Sequence, residues 1–406
     1  MRAPSGARSD HPRTKRHSPI SRGLSRARIL SAQVERRLDM AEVLDRFADE
    51  YGPEKIVYIY EPRCGLKGIV VIDNISAGPA IGGIRMAPDV STEEVFRLAR
   101  AMTWKNALAG IPHGGGKSGI LADPGTPNKE TLIRQFARAI EKLDGYIPGP
   151  DMGTDEVAMA WVRDEIGRSV GLSKVLGGIP LDQIGATGYG LAVCAEVCQD
   201  FADITLEGAS VVVQGFGNVG SHAARYLQDR GAILIGASDL DGTVYDPNGI
   251  DVDRLAAVKA ETGQVTAYDG GEKMGIDDWI KIPCDIFVPA ARPDAINEMN
   301  ALSLKAKVVL QGANIPVTAR AERILHDNGI LSVPDFVANA GGVICASVEY
   351  KGGTQKRAFE TIEEKVRENT AAVLDLARQH SQIPAEAALS LAKQRVAEAM
   401  AYRRSR

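Results

Sequence analysis

The chain has 406 residues, of which 44% are hydrophobic and 25% charged, and its formal net charge at pH 7 is −4. This length and composition predict a globular protein of two domains and argue against a largely disordered one. Its five cysteines are odd in number and scattered in apolar surroundings, and no apolar run approaches the roughly 20 residues of a membrane-spanning helix, so we expect a cytoplasmic protein without a disulfide framework, a metal site or a membrane partner.

The first 28 residues form a basic segment with eight Lys or Arg, one Asp, and interleaved Pro and Ser. This composition favours a disordered tail, which we place at residues 1–38. The alternatives to a disordered tail are a nucleic-acid contact, a transit peptide, or a segment upstream of a natural translation start at Met40. Because the segment carries a surplus of seven positive charges, the remainder of the chain has a net charge of −11, which gives no reason to expect a nucleic-acid partner.

The next part of the chain mixes predicted strands and helices. Two apolar runs within residues 55–73, separated by a turn-like segment, predict a strand pair. Residues Ser91 to Leu108 have helical spacing, with Ser91 or Thr92 as the N-cap and two glutamates in the first turn. Residues 128–143 and 155–166 are predicted to be further amphipathic helices.

A lysine within this part stands in the glycine-rich segment PHGGGKSG. The segment is not a triphosphate-binding loop, because that pattern requires glycine where the chain has Ile111. We interpret it as a loop whose glycines let backbone and substrate approach and exclude water, so that Lys117, with its pKa lowered by desolvation and by a second cation such as Lys105, could act as a base. Asp151, on another glycine- and proline-bounded loop, would supply a carboxylate; each of these residues alone would more often be a solvated surface charge.

After Gly185 the pattern becomes a regular alternation of strands and helices. Alternation of this kind predicts an α/β fold with a doubly wound, parallel sheet. The last long helix is expected to pack back on the first domain. The predicted helices are 189–200, 219–230, 355–378 and 384–403, and the predicted strands are Ser210–Gln214, Ile233–Ser238 and the apolar runs CDIFVPA, KVVLQGAN and GILSVPD.

One motif in this alternation predicts a dinucleotide site. The segment Gly215-Phe216-Gly217-Asn218-Val219-Gly220 directly follows the apolar run SVVVQ and directly precedes a helical pattern. Glycines there permit the tight turn, the approach of a pyrophosphate and close helix–strand packing, while the helix N-terminus faces the phosphates. Asp239 ends the next predicted strand, where an acid would accept ribose hydroxyls and repel a 2′-phosphate, so we expect NAD, with NADP as the alternative. A purely structural glycine turn is the competing interpretation.

The motifs taken together resemble those of the glutamate, leucine, phenylalanine and valine dehydrogenases. They follow one another in family order as GPAIGGIRM, MTWKNALAGIPHGGGKSG, GPDMGT, ATGYG, GFGNVG, GAN and NAGGV. The resemblance implies an N-terminal mixed-sheet substrate domain (residues 39–185), a Rossmann-like dinucleotide-binding domain (186–338) and a C-terminal helical segment (339–406) that returns to the first domain. It also implies a homo-oligomer acting on an amino acid, a 2-oxo acid and ammonia.

The same resemblance implies roles for individual residues. Lys117 matches the catalytic lysine, which activates water and later polarises the 2-oxo carbonyl, and Asp151 is similar to the proton-transfer carboxylate. Lys105 matches the lysine that grips the substrate α-carboxylate. The remaining matches are Gly82 and Gly83 in a loop beneath the substrate, Thr187 and Asn314 on the nicotinamide amide, and Asn339 at the start of a segment lining the cleft.

Two positions bear on which amino acid is the substrate. Glutamate-specific members of the family carry a lysine and a serine where this chain has Ile81 and Ala346. A buried distal carboxylate without those partners would lose several kcal/mol, so the sequence favours a leucine- or valine-like side chain with Ile81 and Ala346 as walls. L-Glutamate is the alternative, and a non-catalytic NAD-binding sensor is the alternative of another class, against which the joint presence of Lys117, Lys105 and Asp151 argues.

Overall fold

The computed structural model describes residues 46–403, so the predicted tail (residues 1–38) and the alternative start at Met40 lie outside the described residues. The chain divides into two units, residues 1–48 and 49–406, and of the first only residues 46–48 are described. The second unit contains two β-sheets. No helix within residues 46–403 is long and apolar enough to cross a membrane, and all five cysteines are free thiols.

The N-terminal sheet has five strands in the order β1-β2-β4-β3-β5. The first three in this order are antiparallel, whereas β3 is parallel to both β4 and β5. The predicted strand pair is confirmed as β1 and β2. The strands are β1 (Lys55–Glu61), β2 (Leu66–Asn74), β3 (Ala80–Ala87), β4 (Gly114–Leu121) and β5 (Tyr146–Pro150).

Three helices accompany this sheet, close to their predicted bounds: α1 (Thr92–Leu108), α2 (Lys129–Ala139) and α3 (Glu156–Ile166). The side chain of Ser91 accepts a hydrogen bond from Glu94 N at 3.1 Å, which confirms Ser91 as the N-cap of α1. Asp155 caps α3 in the same way through Ala158 N at 2.8 Å. The second helix ends at Ala139 rather than at Leu143.

The expectation that the triple glycine forms a loop is wrong, because Gly114 to Lys117 begin the buried central strand β4. A Cβ on Gly114 would stand 1.8 Å from Asn74 O, and one on Gly115 would stand 2.1 Å from Thr103 N of α1. The missing side chains therefore let β4 pack tightly between β2 and α1. Glycine-rich strands lack the β-branched residues by which strands are usually recognised, which explains the error.

The C-terminal sheet has seven strands in the order β12-β11-β10-β6-β7-β8-β9. Five are parallel, from β12 to β7, and this confirms the doubly wound parallel sheet. The antiparallel pair β8 and β9 at one edge was not predicted. The strands are β6 (Ser210–Gln214), β7 (Ile233–Ser238), β8 (Thr243–Tyr245), β9 (Glu272–Met274), β10 (Cys284–Pro289), β11 (Ala306–Leu310) and β12 (Leu331–Val333).

The final helix crosses back to the N-terminal part of the unit. Arg395 on this helix donates from Nη1 to Leu108 O at the end of α1, and to Asn369 Oδ1 at 2.8 Å. These bonds join the C-terminal helix to the helix beside the N-terminal sheet. The helices of this half are α4 (Ala186–Cys198), α5 (Asn218–Gln228), α6 (Val252–Thr262), α7 (Ala319–Asp327), α8 (Asp335–Ala338), α9 (Gly341–Tyr350), α10 (Gln355–His380) and α11 (Pro384–Ala401).

Candidate active site

Lys117 and Asp151 form an ion pair at the N-terminal sheet. Lys117 lies on β4 and Asp151 directly follows β5, with Lys117 Nζ 3.0 Å from Asp151 Oδ2. Strand β3 separates these two strands, so the lysine must reach across it. Gly83 on β3 makes this approach feasible, because a Cβ there would stand 2.7 Å from Asp151 Cβ. The structure thus brings into contact two of the three charged residues that the sequence singled out.

A third charged residue, Arg85, was assigned no role from the sequence. Its Nε donates to Asp151 Oδ2 at 2.9 Å and its Nη1 donates to Glu94 Oε1. On a strand, residues two apart share a face, so Arg85 points to the same side as Gly83. The two-residue periodicity of a strand could have identified Arg85 as a site residue. It was missed because β3 was not recognised as a strand.

Burial and charge set the protonation states of the pair. Lys117 is only 6% exposed, and burial lowers its pKa although Asp151 opposes the change. For Asp151, burial alone would raise the pKa, but the charges of Lys117 and Arg85 outweigh it and leave the pKa lowered. The carboxylate therefore stays ionised, while the amine loses its proton more readily than an exposed lysine does.

Lys105 lies in the last turn of α1 and faces a cavity of about 340 Å³ that Lys117 also lines. Burial lowers the pKa of Lys105 to about 8, with Asp335 opposing the change and Lys117 adding to it. Asp335 was not predicted as a site residue. The cavity lies between the N-terminal helix α1, the segment after β11 and helices α8 and α11; its other lining residues are Leu98, Ala101, Met102, Trp104, Asn314, Ile315, Phe336, Ala385 and Leu389.

The prediction that Gly82 and Gly83 form a loop is wrong, since both lie within β3. A Cβ on Gly82 would stand 1.7 Å from Gly116 O, so this glycine is required by strand packing. Ile81 precedes them on the same strand. It is buried with Ala346 of α9 in a small apolar cluster completed by Ile147 and Val170, outside the lining of the lysine cavity.

Glu349, one turn beyond Ala346 on α9, orders the segment that follows Val170. Its Oε1 accepts a hydrogen bond from Leu172 N at 3.1 Å and its Oε2 accepts one from Ile179 N at 3.2 Å. Burial raises the pKa of this carboxyl. The two bonds tie residues 172–179 to α9 beside the apolar cluster, a positioning role that sequence reasoning did not identify.

The glycine motif lies where the strand order of the C-terminal sheet reverses, at the carboxyl end of β6. Gly215 has φ +92°, and a Cβ there would stand 2.6 Å from Ala291 Cβ. A Cβ on Gly220 would stand 2.1 Å from Gly215 O, whereas one on Gly217 would meet no atom within 4 Å. Asn218 and Val219 begin α5, and Phe216 is buried, so its side chain belongs to the core.

This motif borders a cavity of about 350 Å³ whose residues fit a dinucleotide. No side chain caps the N-terminus of α5, so its first N–H groups remain available to phosphates. Gln214 Oε1, at the cavity, is buried without a hydrogen-bond partner. Asp239 lies at the end of β7 as predicted, but its carboxylate is already hydrogen-bonded to Lys259 at 2.6 Å.

Three further predicted residues lie near one another. Asn339 Nδ2 donates to Ala313 O at 3.1 Å and to Asn314 Oδ1 at 3.4 Å. Asn339 Oδ1 is buried and has no partner. Thr187 lies in the first turn of α4. A Cβ built on Gly342, shortly after Asn339 in the chain, would stand 3.1 Å from Thr187 Oγ1. Asn314 also lines the lysine cavity, which connects this group to Lys105.

Residues 46–403 contain no group of three or more His, Cys, Asp and Glu side chains arranged to hold a metal ion. The polar groups of the site are amines, carboxylates, amides and a guanidinium. They can therefore bind anions and exchange protons.

Comparison with known proteins agrees with this architecture. The family model of the glutamate/leucine/phenylalanine/valine dehydrogenases matches residues 177–404, and the model of the dimerisation domain of the same dehydrogenases matches residues 53–168.

Two curated relatives and one solved structure are also similar. The NADP-specific glutamate dehydrogenase of Saccharolobus shibatae is 40% identical over 68% of this chain and 69% of its own length. The NAD-specific glutamate dehydrogenase of Staphylococcus aureus is 39% identical over 76% of this chain and 78% of its own. The leucine-bound hetero-hexameric glutamate dehydrogenase of Thermus thermophilus has a TM-score of 0.79 and 27% identity, and covers 97% of this chain and 100% of its own.

Proposed function

Because the chain belongs to the glutamate/leucine/phenylalanine/valine dehydrogenase family and is therefore an NAD(P)-dependent amino-acid dehydrogenase, we propose that it interconverts L-glutamate with 2-oxoglutarate and ammonia. The substrate assignment depends on the relatives at about 40% identity, which are named glutamate dehydrogenases. The observation that carries the chemistry is the 3.0 Å pair of Lys117 and Asp151 beside Lys105.

Lys117 acts as the base in this proposal. Its lowered pKa gives a larger neutral fraction near neutral pH. After hydride has left the substrate Cα and an imine has formed, the neutral amine can take a proton from the water that adds to this carbon, and ammonia then leaves. Asp151 is close enough to receive or return that proton. Arg85 keeps the carboxylate ionised between turnovers, because it donates to the same oxygen as Lys117.

Lys105 binds the substrate α-carboxylate. With a pKa of about 8 it remains mostly protonated at pH 7 and can donate charge-assisted hydrogen bonds. The glycine motif and the N-terminus of α5 would bind the pyrophosphate of the dinucleotide, and Thr187 and Asn314 would orient the carboxamide of its nicotinamide ring. When bound, the nicotinamide supplies the hydride acceptor or donor for the substrate Cα. Closure of the cleft around Lys117 excludes water and sets the reacting atoms in line.

An apolar amino acid is the second candidate substrate, and the Ile81 cluster favours it. The buried cluster of Ile81, Ala346, Ile147 and Val170 is apolar and offers no charge or hydrogen-bond donor for a distal carboxylate, and it lies outside the lining of the lysine cavity. The sequence favoured this candidate. The relatives instead favour glutamate, so a substrate panel must decide between the two.

The test is reduced-nicotinamide absorbance with glutamate, leucine, valine and phenylalanine. We expect the highest kcat/KM with glutamate; a higher value with leucine or valine would establish the second candidate. Absence of turnover with all four, from folded protein that binds NADH, would instead support a non-catalytic sensor.

The double variant Ile81→Lys with Ala346→Ser should raise the ratio of glutamate turnover to leucine turnover by about tenfold or more. Val175→Lys is the matched control, because this position is 94% exposed.

We also propose that the protein is a homo-oligomer assembled through the edge strand β1, in the segment that matches the dimerisation domain. Tyr58 and Tyr60 on this strand are 51% and 68% exposed, and an exposed edge strand with aromatic side chains readily pairs with another copy. Light scattering after size exclusion should give a multiple of the 43.4 kDa chain mass; a monomer at micromolar concentration would refute this.

A cytoplasmic location is proposed from the five free cysteines, which are typical of a reducing compartment. In cell fractionation, we expect the protein in the cytoplasmic fraction, and its recovery outside the cytoplasm would contradict the proposal.

A further inference from the structure

The carboxylate that was expected to select NAD is already occupied by the protein. Asp239 Oδ1 accepts a hydrogen bond from Asp241 N at 2.9 Å, and Oδ2 accepts from Val265 N at 2.7 Å and from Lys259 Nζ at 2.6 Å. Its side chain is only 7% exposed. Both oxygens are therefore engaged, and little of the carboxylate faces the cavity where a ribose would lie.

Lys259 also cancels the charge that would repel a phosphate. An acid at the end of the second strand discriminates against a 2′-phosphate because of its negative charge. Here burial would raise the pKa of Asp239, but the Lys259 bond and two backbone N–H groups lower it, so the carboxylate is ionised and paired. The pair has no net charge, and the expected electrostatic barrier to NADP is removed.

Two cations at this cavity have donors to spare. Lys259 uses one of its three N–H bonds on Asp239 and is 25% exposed, so its remaining donors can reach a ligand. Arg292, in the segment after β10, lines the same cavity and its side chain is 67% exposed. Its only ion pair within the described residues is with Asp277 at 3.7 Å, and Asp277 is 70% exposed. Such a solvent-exposed pair contributes little, so a phosphate can replace Asp277.

We infer that Lys259 and Arg292 form a binding site for the 2′-phosphate of NADP, so that this chain uses both NADP and NAD. The inference rests on the NAD(P) dependence of the family and not on the identity of the amino acid. It keeps NAD as a coenzyme and assigns residues to NADP, the alternative that the sequence left open. Arg292 is suited to the role because guanidinium groups bind phosphates through paired donors.

The experiment measures binding of NADH and NADPH by nicotinamide fluorescence at fixed ionic strength, without amino acid. For the wild-type protein we expect Kd values within about tenfold of each other, since the pairing of Asp239 removes the usual penalty. Lys259→Met and Arg292→Gln should each lower the affinity for NADPH relative to NADH by about tenfold, the loss typical of one charge-assisted hydrogen bond. Titration with 2′,5′-ADP, which lacks the nicotinamide, should show the same loss.

Lys281→Met is the matched control, because Lys281 pairs with Asp278 nearby but does not line the cavity. Arg292→Gln leaves the pairing of Asp239 with Lys259 intact, so its result does not depend on the folding of the segment that carries Asp239. The inference is overturned if wild-type protein binds NADPH more than about a hundredfold more weakly than NADH, or if the two variants weaken both nucleotides equally. Because no substrate is present, these outcomes are independent of whether glutamate is the substrate.

Discussion

Two lysines line one cavity but have different electrostatic partners. Lys117 is in direct contact with Asp151, whereas among residues 46–403 the nearby charge of Asp335 is what stabilises the charged form of Lys105. Burial lowers the pKa of both amines. In the proposed mechanism, Lys117 gives and takes protons and is paired with a proton acceptor, whereas Lys105 stays charged and has the carboxylate of Asp335 in the same cavity.

Asp335 gives the substrate-binding step a pH dependence. Lys105 binds a carboxylate only when protonated, so substrate affinity should fall as the pH rises through about 8. Asp335→Asn removes the charge that raises the pKa of Lys105, and the fall should begin at lower pH. Between pH 6.5 and pH 8, we expect the factor by which KM rises to be at least about threefold larger in Asp335→Asn than in the wild-type enzyme. The change in kcat over the same range should be smaller.

Asp375→Asn, at a carboxylate on α10 whose side chain is 46% exposed, is the control for Asp335→Asn. The asparagine at 335 still offers an oxygen to Ile315 N, which donates to Asp335 Oδ2 at 2.9 Å, so the loop should keep its fold. An unchanged pH profile of KM would show that Asp335 does not act on Lys105.

Individual chemical groups were more readable from the sequence than their surroundings. Lys117, Lys105 and Asp151 were identified from their charge beside glycine- and proline-bounded segments, the family resemblance then implied their roles, and two of them are in contact. Arg85, Asp335 and Glu349 were not, since each gains its significance from a partner distant along the chain. A carboxylate such as Asp239 looked free in the sequence because its partner Lys259 lies on the following helix.

At the level of elements, the capped helices α1 and α3 and the β6–α5 turn were predicted closely, whereas α6 and α7 were not predicted although Asp251 and Thr318 cap them. The strands β3, β4 and β5 were not, because glycine and proline replace the alternating apolar side chains on which strand prediction depends. Their glycines are explained by contacts that exist only in the assembled sheet. The central position of β4 fixes Lys117 on a buried strand, which holds a catalytic group more rigidly than a loop would.

Gly82 tests this account of the glycine-rich strands. A Cβ at this position would stand 1.7 Å from Gly116 O, so Gly82→Ala must displace β3 from β4 beside Lys117. We expect a loss of roughly 3 kcal/mol in the free energy of unfolding, at the upper end for overpacked sites, measured by denaturant titration.

Gly125→Ala is the matched substitution. A Cβ on Gly125 would stand 3.4 Å from its nearest neighbour, Asp123 Oδ1, so the position has room for it. It should change stability by less than about 0.5 kcal/mol, as surface substitutions do. Equal stability of the two variants would contradict the packing role given to Gly82.

On the scale of the whole molecule, the proposed reaction uses groups from both the N-terminal and the C-terminal part of the second unit. Lys105 and Lys117 come from the N-terminal part, Asn314 and Asp335 come from the C-terminal part, and Leu389 on the last helix closes the same cavity. The general α/β architecture was predictable because strand and helix periodicities differ. The juxtaposition of the two halves was not, since it depends on contacts between segments far apart in sequence, such as those of Arg395 with Leu108.

In the proposed mechanism, Lys117 performs the proton chemistry while a separate part of the molecule binds the nucleotide. The most direct test is Lys117→Ala, with Lys356→Ala as control, because the side chain of Lys356 is 88% exposed. We expect turnover of the preferred amino acid to fall by roughly a thousandfold, while the Kd for NADH changes by less than about twofold. Retained turnover, or a parallel loss of NADH affinity in well-folded protein, would contradict it.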